Sequence, residues 1–270
     1  KRFPHVDVFM RPQEYGPLID LLGQRMEIDT EGCLGNLAPM RPEVSGFVPI
    51  IHGCDLMCTF CIIPFRRGRQ VSRPISEIAN EVELMTRRGM REVTLLGQTV
   101  DAYGHDLEHS KDLSDLLHDV GSIRDLLRVR FLTSHPQFMS DRIIDAVAEV
   151  ESVCEHINLP VQAGDDWVLS QMRRRYTTEQ YRRLVDRIRT RIPGVSISTD
   201  IIVGFPGETG SRFQRTVELL EELQFDKVHL AAYSPRPGTF ADNKLPDDVP
   251  LEEKRRRLRQ LEELQKDIQS

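Results

Sequence analysis

From residue 46 onward, short apolar runs alternate with amphipathic stretches. The runs are Phe47–Ile51, Glu92–Leu96, Val129–Leu132, His156–Leu159, Val195–Val203 and Lys227–Ala232. Between them, apolar residues recur at helical spacing over Ser76–Arg88, Leu113–Leu127, Asp141–Val150, Glu179–Arg191 and Gly210–Leu223. Short apolar runs bounded by Gly and Pro read as buried strands, and a 3.6-residue repeat reads as a helix with one face on a core. Such alternation predicts α/β architecture with parallel βαβ units, either a partial barrel or an open doubly wound sheet. Both architectures gather function at the carboxyl ends of the strands. Here those ends are polar or rich in Gly and Pro: His52-Gly53-Cys54, Gly97-Gln98-Thr99, Thr133-Ser134-His135-Pro136, Pro160 to Gly164, Gly204 to Glu208, and Tyr233 to Gly238. Any set of βα loops has that composition. A cysteine cluster at the first of them needs another explanation.

The chain's flanks have other patterns. Val6–Met10 reads as a strand, Tyr15–Arg25 as a helix, and Asp29–Ser45 as a linker. Pro250–Ser270 carries Leu258, Leu261, Leu264 and Ile268 at helical spacing, and reads as an amphipathic helix packed on the body.

A chain of 270 residues, 39% hydrophobic, buries a large core without staples. The net charge of -6 excludes a globally basic coat for nucleic acid, though not a local patch. No apolar run is long enough to cross a membrane as a helix, and the first residues hold no signal-peptide apolar region. Five cysteines, an odd number, argue against a disulfide framework. Three of them fall in Cys54-Asp-Leu-Met-Cys58-Thr-Phe-Cys61, which suits a metal or cluster held by thiolates. Zinc sites use four ligands, commonly in two pairs, and no second pair is present downstream. A [4Fe–4S] cube normally takes four cysteines, so three leave one iron open to an external ligand. Zinc with His52 as fourth ligand, or redox thiols at Cys58 and Cys61, are the alternatives.

The series Gly53-Cys54, Cys58-Thr59-Phe60-Cys61-Ile62-Ile63-Pro64, Arg67-Gly68 and Val71-Ser72-Arg73-Pro74 resembles the methylthiotransferases of the radical S-adenosylmethionine (SAM) superfamily. Further matches occur in the same order, among them Leu95 to Val100, Thr133 to Pro136, Leu159 to Gly164, Asp200 to Thr209 and Tyr233 to Thr239. The resemblance implies a partial (β/α)6 barrel of the radical SAM type over 46–270. Residues 1–30 are then the tail of an N-terminal α/β domain, and 31–45 a linker. It implies Cys54, Cys58 and Cys61 as ligands of a [4Fe–4S] cluster, with SAM chelating the open iron. One-electron cleavage of SAM would give a 5′-deoxyadenosyl radical able to take hydrogen from an unreactive C–H. The cofactor carries that chemistry, and the protein positions it.

The branch resembled adds a methylthio group at C2 of N6-isopentenyl-adenosine at position 37 of tRNA. Branches acting on threonylcarbamoyl-adenosine in tRNA or on a ribosomal-protein aspartate compete with it. A zinc-stabilised RNA-binding domain is the non-enzyme alternative. The family implies tRNA and an electron donor such as flavodoxin or ferredoxin as partners, with a monomeric, cytoplasmic enzyme and no membrane association. A second cluster, which supplies sulfur, is expected in an N-terminal domain whose ligands are absent from these residues. Cys33 and Cys154 match none of them. An RNA-binding domain is expected after Ser270.

For SAM contacts the resemblance and the strand ends together offer Phe60, Gly97, Gln98, Ser134, Gln162, Arg175, Asp200 and Tyr233. Phe60 and Tyr233 are equally readable as core, and Asp200 as a structural carboxylate. Arg173 and Arg174 compete with Arg175, and His52 and His135 are ordinary loop histidines unless a partner gives them work. Arg66, Arg67, Arg69 and Arg73 form a run without an acid, and 173–191 holds eight arginines against Glu179 and Asp186. Arginine suits bidentate phosphate contacts, so Arg66, Arg67 and Arg69 are candidates for RNA binding. A solvated helix face is the alternative for 182–191.

Overall fold

The computed structural model describes residues 7, 8, 18, 20–23, 43–107 and 111–269. The chain divides into two units, Lys1–Pro42 and Glu43–Ser270. In the first, Leu18 and Asp20–Gly23 are helical, within the stretch expected to be so, while Asp7 and Val8 lie in no strand. The remainder of the strand expected at Val6–Met10 and most of the linker, with Cys33, lie outside the described residues.

Within the second unit, six parallel strands carry the fold: β1 (Ser45–Pro49), β4 (Glu92–Leu96), β5 (Arg128–Phe131), β6 (His156–Asn158), β7 (Ser196–Val203) and β8 (Lys227–Ala232). Ladders join β1 to β4 to β5, and β6 to β7 to β8. Between the halves, Val129 N–H donates to Ser152 O (2.7 Å) and Cys154 N–H to Val129 O (2.9 Å), just before β6. The strands are therefore neighbours in chain order. Among the described residues no ladder joins β8 to β1, so the barrel is partial. A two-residue antiparallel pair, β2 (Ile51–His52) and β3 (Val71–Ser72), frames the cysteine segment.

Helices α2 (Ile75–Arg87), α3 (Leu113–Gly121), α4 (Asp141–Glu149), α6 (Thr178–Arg191) and α7 (Gly210–Leu223) succeed the strands in turn. Their starts are chemically marked. Asp112 and Thr177 form reciprocal capping boxes with Asp115 and Gln180, and Ser140 and Thr209 cap α4 and α7. The helix expected over Leu113–Leu127 stops at Gly121. Ser122 caps it, and Asp125 takes a left-handed conformation (φ 68°) that a helix cannot contain. Short helices α1 (Ile63–Arg67), α5 (Asp166–Gln171) and α8 (Phe240–Lys244) are too brief for a periodic pattern. The final helix, α9 (Leu251–Gln269), fills the expected stretch.

One large core lies between strands and helices, built from residues such as Val48, Val93, Leu95, Leu116, Ile143, Ile157, Ile197 and Leu220. A smaller cluster of Ala163, Val168, Leu169, Met172, Phe205, Tyr233 and Ala241 closes the mouth end of the β6–β8 half. Leu261 of α9 is buried as expected, and so are Lys254, Arg257 and Gln265. Lys254 Nζ reaches Tyr233 O (3.2 Å) and Asp247 (2.5 Å), so α9 is anchored by charge as well as by its apolar stripe.

Candidate active site

The β2–β3 pair pins both ends of the cysteine loop. Gly53 turns the chain at φ 71°, and a Cβ there would run into Arg69 O, so the position accepts only glycine. Cys54 N–H then donates to Gly68 O (3.2 Å), and Cys61 N–H to Cys58 O (3.1 Å). Thr59 fastens the loop to the far half of the barrel. Its N–H donates to Met172 O (3.2 Å), its hydroxyl to Gln171 O (2.8 Å), and its carbonyl accepts from Ala241 N–H (2.8 Å).

Cys54 is 9% exposed and its Sγ lies 3.4 Å from Thr99 Oγ1 at the mouth of β4. Cys58 and Cys61 are half-buried. Burial raises the Cys61 thiol above its ordinary value, the Ile63 N–H opposes this, and the charges of Cys58 and Cys54 add to it. Cys61 thus feels the other two sulfurs. Among the described residues no three His, Cys, Asp or Glu side chains converge as a single metal ion needs.

Arg173 adopts a left-handed conformation (φ 57°) after α5, and Arg174 N–H returns to Leu169 O (2.8 Å). This turn puts Arg174 inside, 8% exposed, while Arg173 and Arg175 stay in solvent. Arg174 donates to Pro160 O (2.9 Å), to the Tyr176 hydroxyl (2.9 Å) and to Cys58 Sγ (3.7 Å). Tyr176 in turn donates to Val161 O (2.9 Å). Of three consecutive arginines, Arg174 is the buried one, while Arg175, the sequence-based candidate for SAM, is exposed. Arg175 lines a cavity of about 500 Å³ together with Cys54, Met57, Gln70, Thr99 and Arg174.

At the mouths of β4 and β5, Gln98 Oε1, Asp101 Oδ1, Ser134 Oγ and His135 Nε2 are buried without hydrogen-bond partners. Buried polar atoms are normally satisfied, so four orphans on adjacent strand ends point to a bound group that completes them. Burial pushes the Asp101 carboxyl up to about 8, although Asp101 Oδ2 accepts the His135 N–H (2.8 Å). Burial and the nearby Arg174 charge push His135 down to about 2, so its imidazole is neutral. Gln98 and Ser134 are among the residues the sequence nominates; Thr99, Asp101 and Tyr176 are not.

The other expected contacts are placed differently. Phe60 packs against the smaller core, edge-on to Phe205 at 6.4 Å. Tyr233 is 6% exposed, edge-on to Phe205 (5.2 Å) and under Lys254 (5.1 Å). Tyr233 belongs to that core, and Phe60 is partly buried against it. At Gly97 the space a Cβ would need is filled by the Ile51 side chain. Gln162 extends the β6–β7 ladder through its backbone, donating to Asp200 O (2.8 Å) and accepting from Ile202 N–H (3.0 Å). Asp200 is half-buried. Burial raises its carboxyl above the ordinary range, and His229, Asn158 and Arg174 oppose the shift.

The arginine runs separate. Arg66 and Arg67 close α1, are exposed, and form no ion pair among the described residues. Arg69 meets Asp55 at 3.4 Å in solvent. In α6, Arg182 pairs with Glu222, Arg183 with Glu179, and Arg187 and Arg191 with Asp141. Arg189 donates to Leu223 O at 2.5 Å. That face is neutralised by its own neighbours, which leaves the α1 run as the open basic patch.

The architecture is that of a partial (β/α)6 barrel with three cysteines in the first βα loop and a buried guanidinium against one of them. Residues 48–220 match the sequence pattern of the Radical SAM superfamily, and the chain belongs to that superfamily. It is 49% identical over 270 residues to a tRNA-2-methylthio-N(6)-dimethylallyladenosine synthase of Dehalococcoides mccartyi, covering 100% of this chain and 62% of that protein. A relative of the same name from Roseiflexus sp. is 50% identical over 270 residues, covering 99% of this chain and 57% of that protein. The chain thus spans about three-fifths of the length of these curated relatives. Among solved structures it resembles coproporphyrinogen III oxidase of Escherichia coli, a radical SAM enzyme, with a TM-score of 0.63 and 19% identity. That match covers 90% of this chain and 57% of the other, and it shows the fold alone.

Proposed function

We propose that the chain is the radical SAM core of a tRNA methylthiotransferase that modifies C2 of N6-isopentenyl-adenosine at position 37. The observation that carries the chemistry is the cysteine triplet with a buried, carboxylate-free guanidinium against Cys58, and four unpaired polar atoms at the mouths of β4 and β5 support it. Identity of about one half along the whole chain to synthases of that name supports the substrate.

Cys54, Cys58 and Cys61 would hold a [4Fe–4S] cluster, and the cavity beside Cys54 would take SAM. Bound there, cluster and SAM supply one-electron chemistry able to remove hydrogen from an unactivated adenine C–H. The chain's own residues do the rest. Thr59 keeps the cysteine loop against α5 and α8, so the ligands are preorganised. Gln98, Ser134, Asp101 and His135 offer hydrogen-bonding atoms to the polar parts of SAM. His135 stays neutral and Asp101 stays protonated through most of the neutral range, so neither adds charge at the mouths of β4 and β5. Arg66 and Arg67 approach the tRNA backbone, and Arg69, partly engaged by Asp55, assists.

A low-potential donor such as flavodoxin or ferredoxin would provide the electron, and a second cluster in the whole enzyme would supply the sulfur. No helix among the described residues is long and apolar enough to cross a membrane. A monomeric, cytoplasmic enzyme is the reading that accompanies a tRNA substrate.

Anaerobic reconstitution with iron and sulfide tests the centre. A brown protein holding about four irons per chain, lost in Cys58→Ala, is expected. A colourless protein with stoichiometric zinc overturns it. Arg66→Glu with Arg67→Glu should weaken tRNA binding while SAM binding persists. Unchanged tRNA binding removes the basic patch from the interface. Nucleoside analysis of tRNA from cells lacking the gene should show unmodified N6-isopentenyl-adenosine.

A further inference from the structure

A guanidinium stays ionised in any protein environment, and an ion buried without a counter-ion is strongly disfavoured. Arg174 is 8% exposed, yet among the described residues no carboxylate lies within ion-pair distance of it. Two of its hydrogen bonds go to neutral oxygens, Pro160 O and the Tyr176 hydroxyl. The third goes to Cys58 Sγ at 3.7 Å. Asp101 and Asp200 feel its field only from beyond contact. The exposed Arg173 is engaged elsewhere, its guanidinium 4.3 Å over the Phe240 ring. The contact of Arg174 that would carry negative charge on ligating a cluster is therefore the Cys58 sulfur.

We propose that Arg174 is a positioning residue that sets the reduction potential of the iron–sulfur cluster at Cys58, through its fixed charge and its hydrogen bond to the ligand sulfur. The inference rests on the proposal that Cys58 ligates a cluster. One electron from a low-potential donor enters the oxidised cluster. No bond breaks, and no proton moves, because the guanidinium keeps its proton throughout. The added negative charge appears beside a fixed positive one, in a partly buried site where water screens it less than in bulk. Charge and hydrogen bonds at ligand sulfurs are established levers on cluster potential. Arg174 therefore favours the reduced form. Its bonds to Pro160 O and Tyr176 prevent it from turning to solvent when the cluster is oxidised.

The test is a dithionite titration of the reconstituted full chain, with the reduced cluster monitored by electron paramagnetic resonance. In Arg174→Gln with full iron, the reduced-to-oxidised ratio at a fixed poise should fall about tenfold, equivalent to about 59 mV for one electron. Arg174→Lys, which keeps the charge, should recover most of that loss, and the exposed Arg183→Gln should change nothing. A ratio within about twofold of the parent's in fully loaded Arg174→Gln overturns the inference and leaves the cluster itself in place. Where Arg174→Gln does not load iron, Arg174→Lys decides: a parental ratio supports the role of charge, and a tenfold fall overturns it. A parent chain that binds no cluster overturns both readings together.

Discussion

Arg257→Met should destabilise the protein in a way that fades as the pH falls. Glu208 and Arg257 are 2% and 4% exposed, and Arg257 Nη1 lies 2.8 Å from Glu208 Oε2. The same carboxylate oxygen accepts the Gly204 N–H at 2.5 Å, and Arg257 Nη1 also reaches Glu208 O at 2.8 Å. The pair ties α9 to the turn at the mouth of β7. Methionine fills the arginine's volume and removes its charge, leaving a buried carboxylate with one backbone donor and Asp165 as a repelling neighbour. Breaking a buried pair in this way costs about 3–5 kcal/mol. Protonation of Glu208 limits that cost. At about pH 7, neutralising a carboxyl of ordinary value 4.5 takes about 3.4 kcal/mol, and at about pH 5 it takes about 0.7 kcal/mol. The expected loss is therefore roughly 3 kcal/mol near neutrality, with a Tm fall of roughly 6–12 °C. Near pH 5 most of it should vanish, and Glu208→Gln in the same chain should restore much of it at both pH values. Urea unfolding monitored by circular dichroism reads the effect. An equal loss at both pH values, or a neutral-pH loss below about 1 kcal/mol, refutes the account of an uncompensated buried charge.

Asp101 gives a second pH signature. Burial raises its carboxyl from 3.8 to about 8, so its contribution to stability is full below about pH 4 and is lost as the pH rises through about 8. Asp101→Asn should flatten that decline, and urea midpoints that run parallel to the parent's across this range would sink the assignment. Gly53→Ala forces a side chain onto Arg69 O, so the chain should fold with the cysteine loop displaced and iron loading reduced. Full loading would show that the loop tolerates the change. Gly207 has φ 77°, and an added Cβ would lie 2.5 Å from the ring of the chain's single tryptophan, Trp167, which Arg212 covers from 3.6 Å. Gly207→Ala should shift tryptophan emission to longer wavelength, and an unchanged spectrum contradicts the packing.

Much of the barrel was legible because its strands are short apolar runs, most deeply buried in β4 and β7, and its helices carry one apolar face. β4, β8 and α7 begin and end where the pattern places them, and the others agree within a residue or two except α3. In α3 the apolar positions Leu126 and Leu127 continue the periodicity beyond Gly121, but periodicity carries no information about where the backbone turns. The short helices α1, α5 and α8 hold five or six residues each, fewer than two full turns. Their positions are set by tertiary contacts, such as Thr59 with Gln171 and Ala241, that no local window contains.

The site divides along the same line. Three cysteines at spacings of four and three residues are a local signal, and they were readable. Arg174 was not separable from Arg173 and Arg175, because all three have the same chemistry and only the left-handed turn at Arg173 decides which is turned inward. Position near a strand end was also a weak guide to role. Gln98 and Ser134 present unpaired buried atoms, yet Tyr233, at an equivalent position on β8, fills the smaller core. The difference is whether neighbouring elements already fill the space around the side chain. Around Tyr233 that space is filled by Phe205 and Lys254. The α6 arginines show the same principle for charge. Their partners Asp141 and Glu222 come from α4 and α7, so a run that is basic along the chain is neutral in space. In α1, Arg66 and Arg67 are exposed without an ion pair among the described residues and keep the charge the sequence promises.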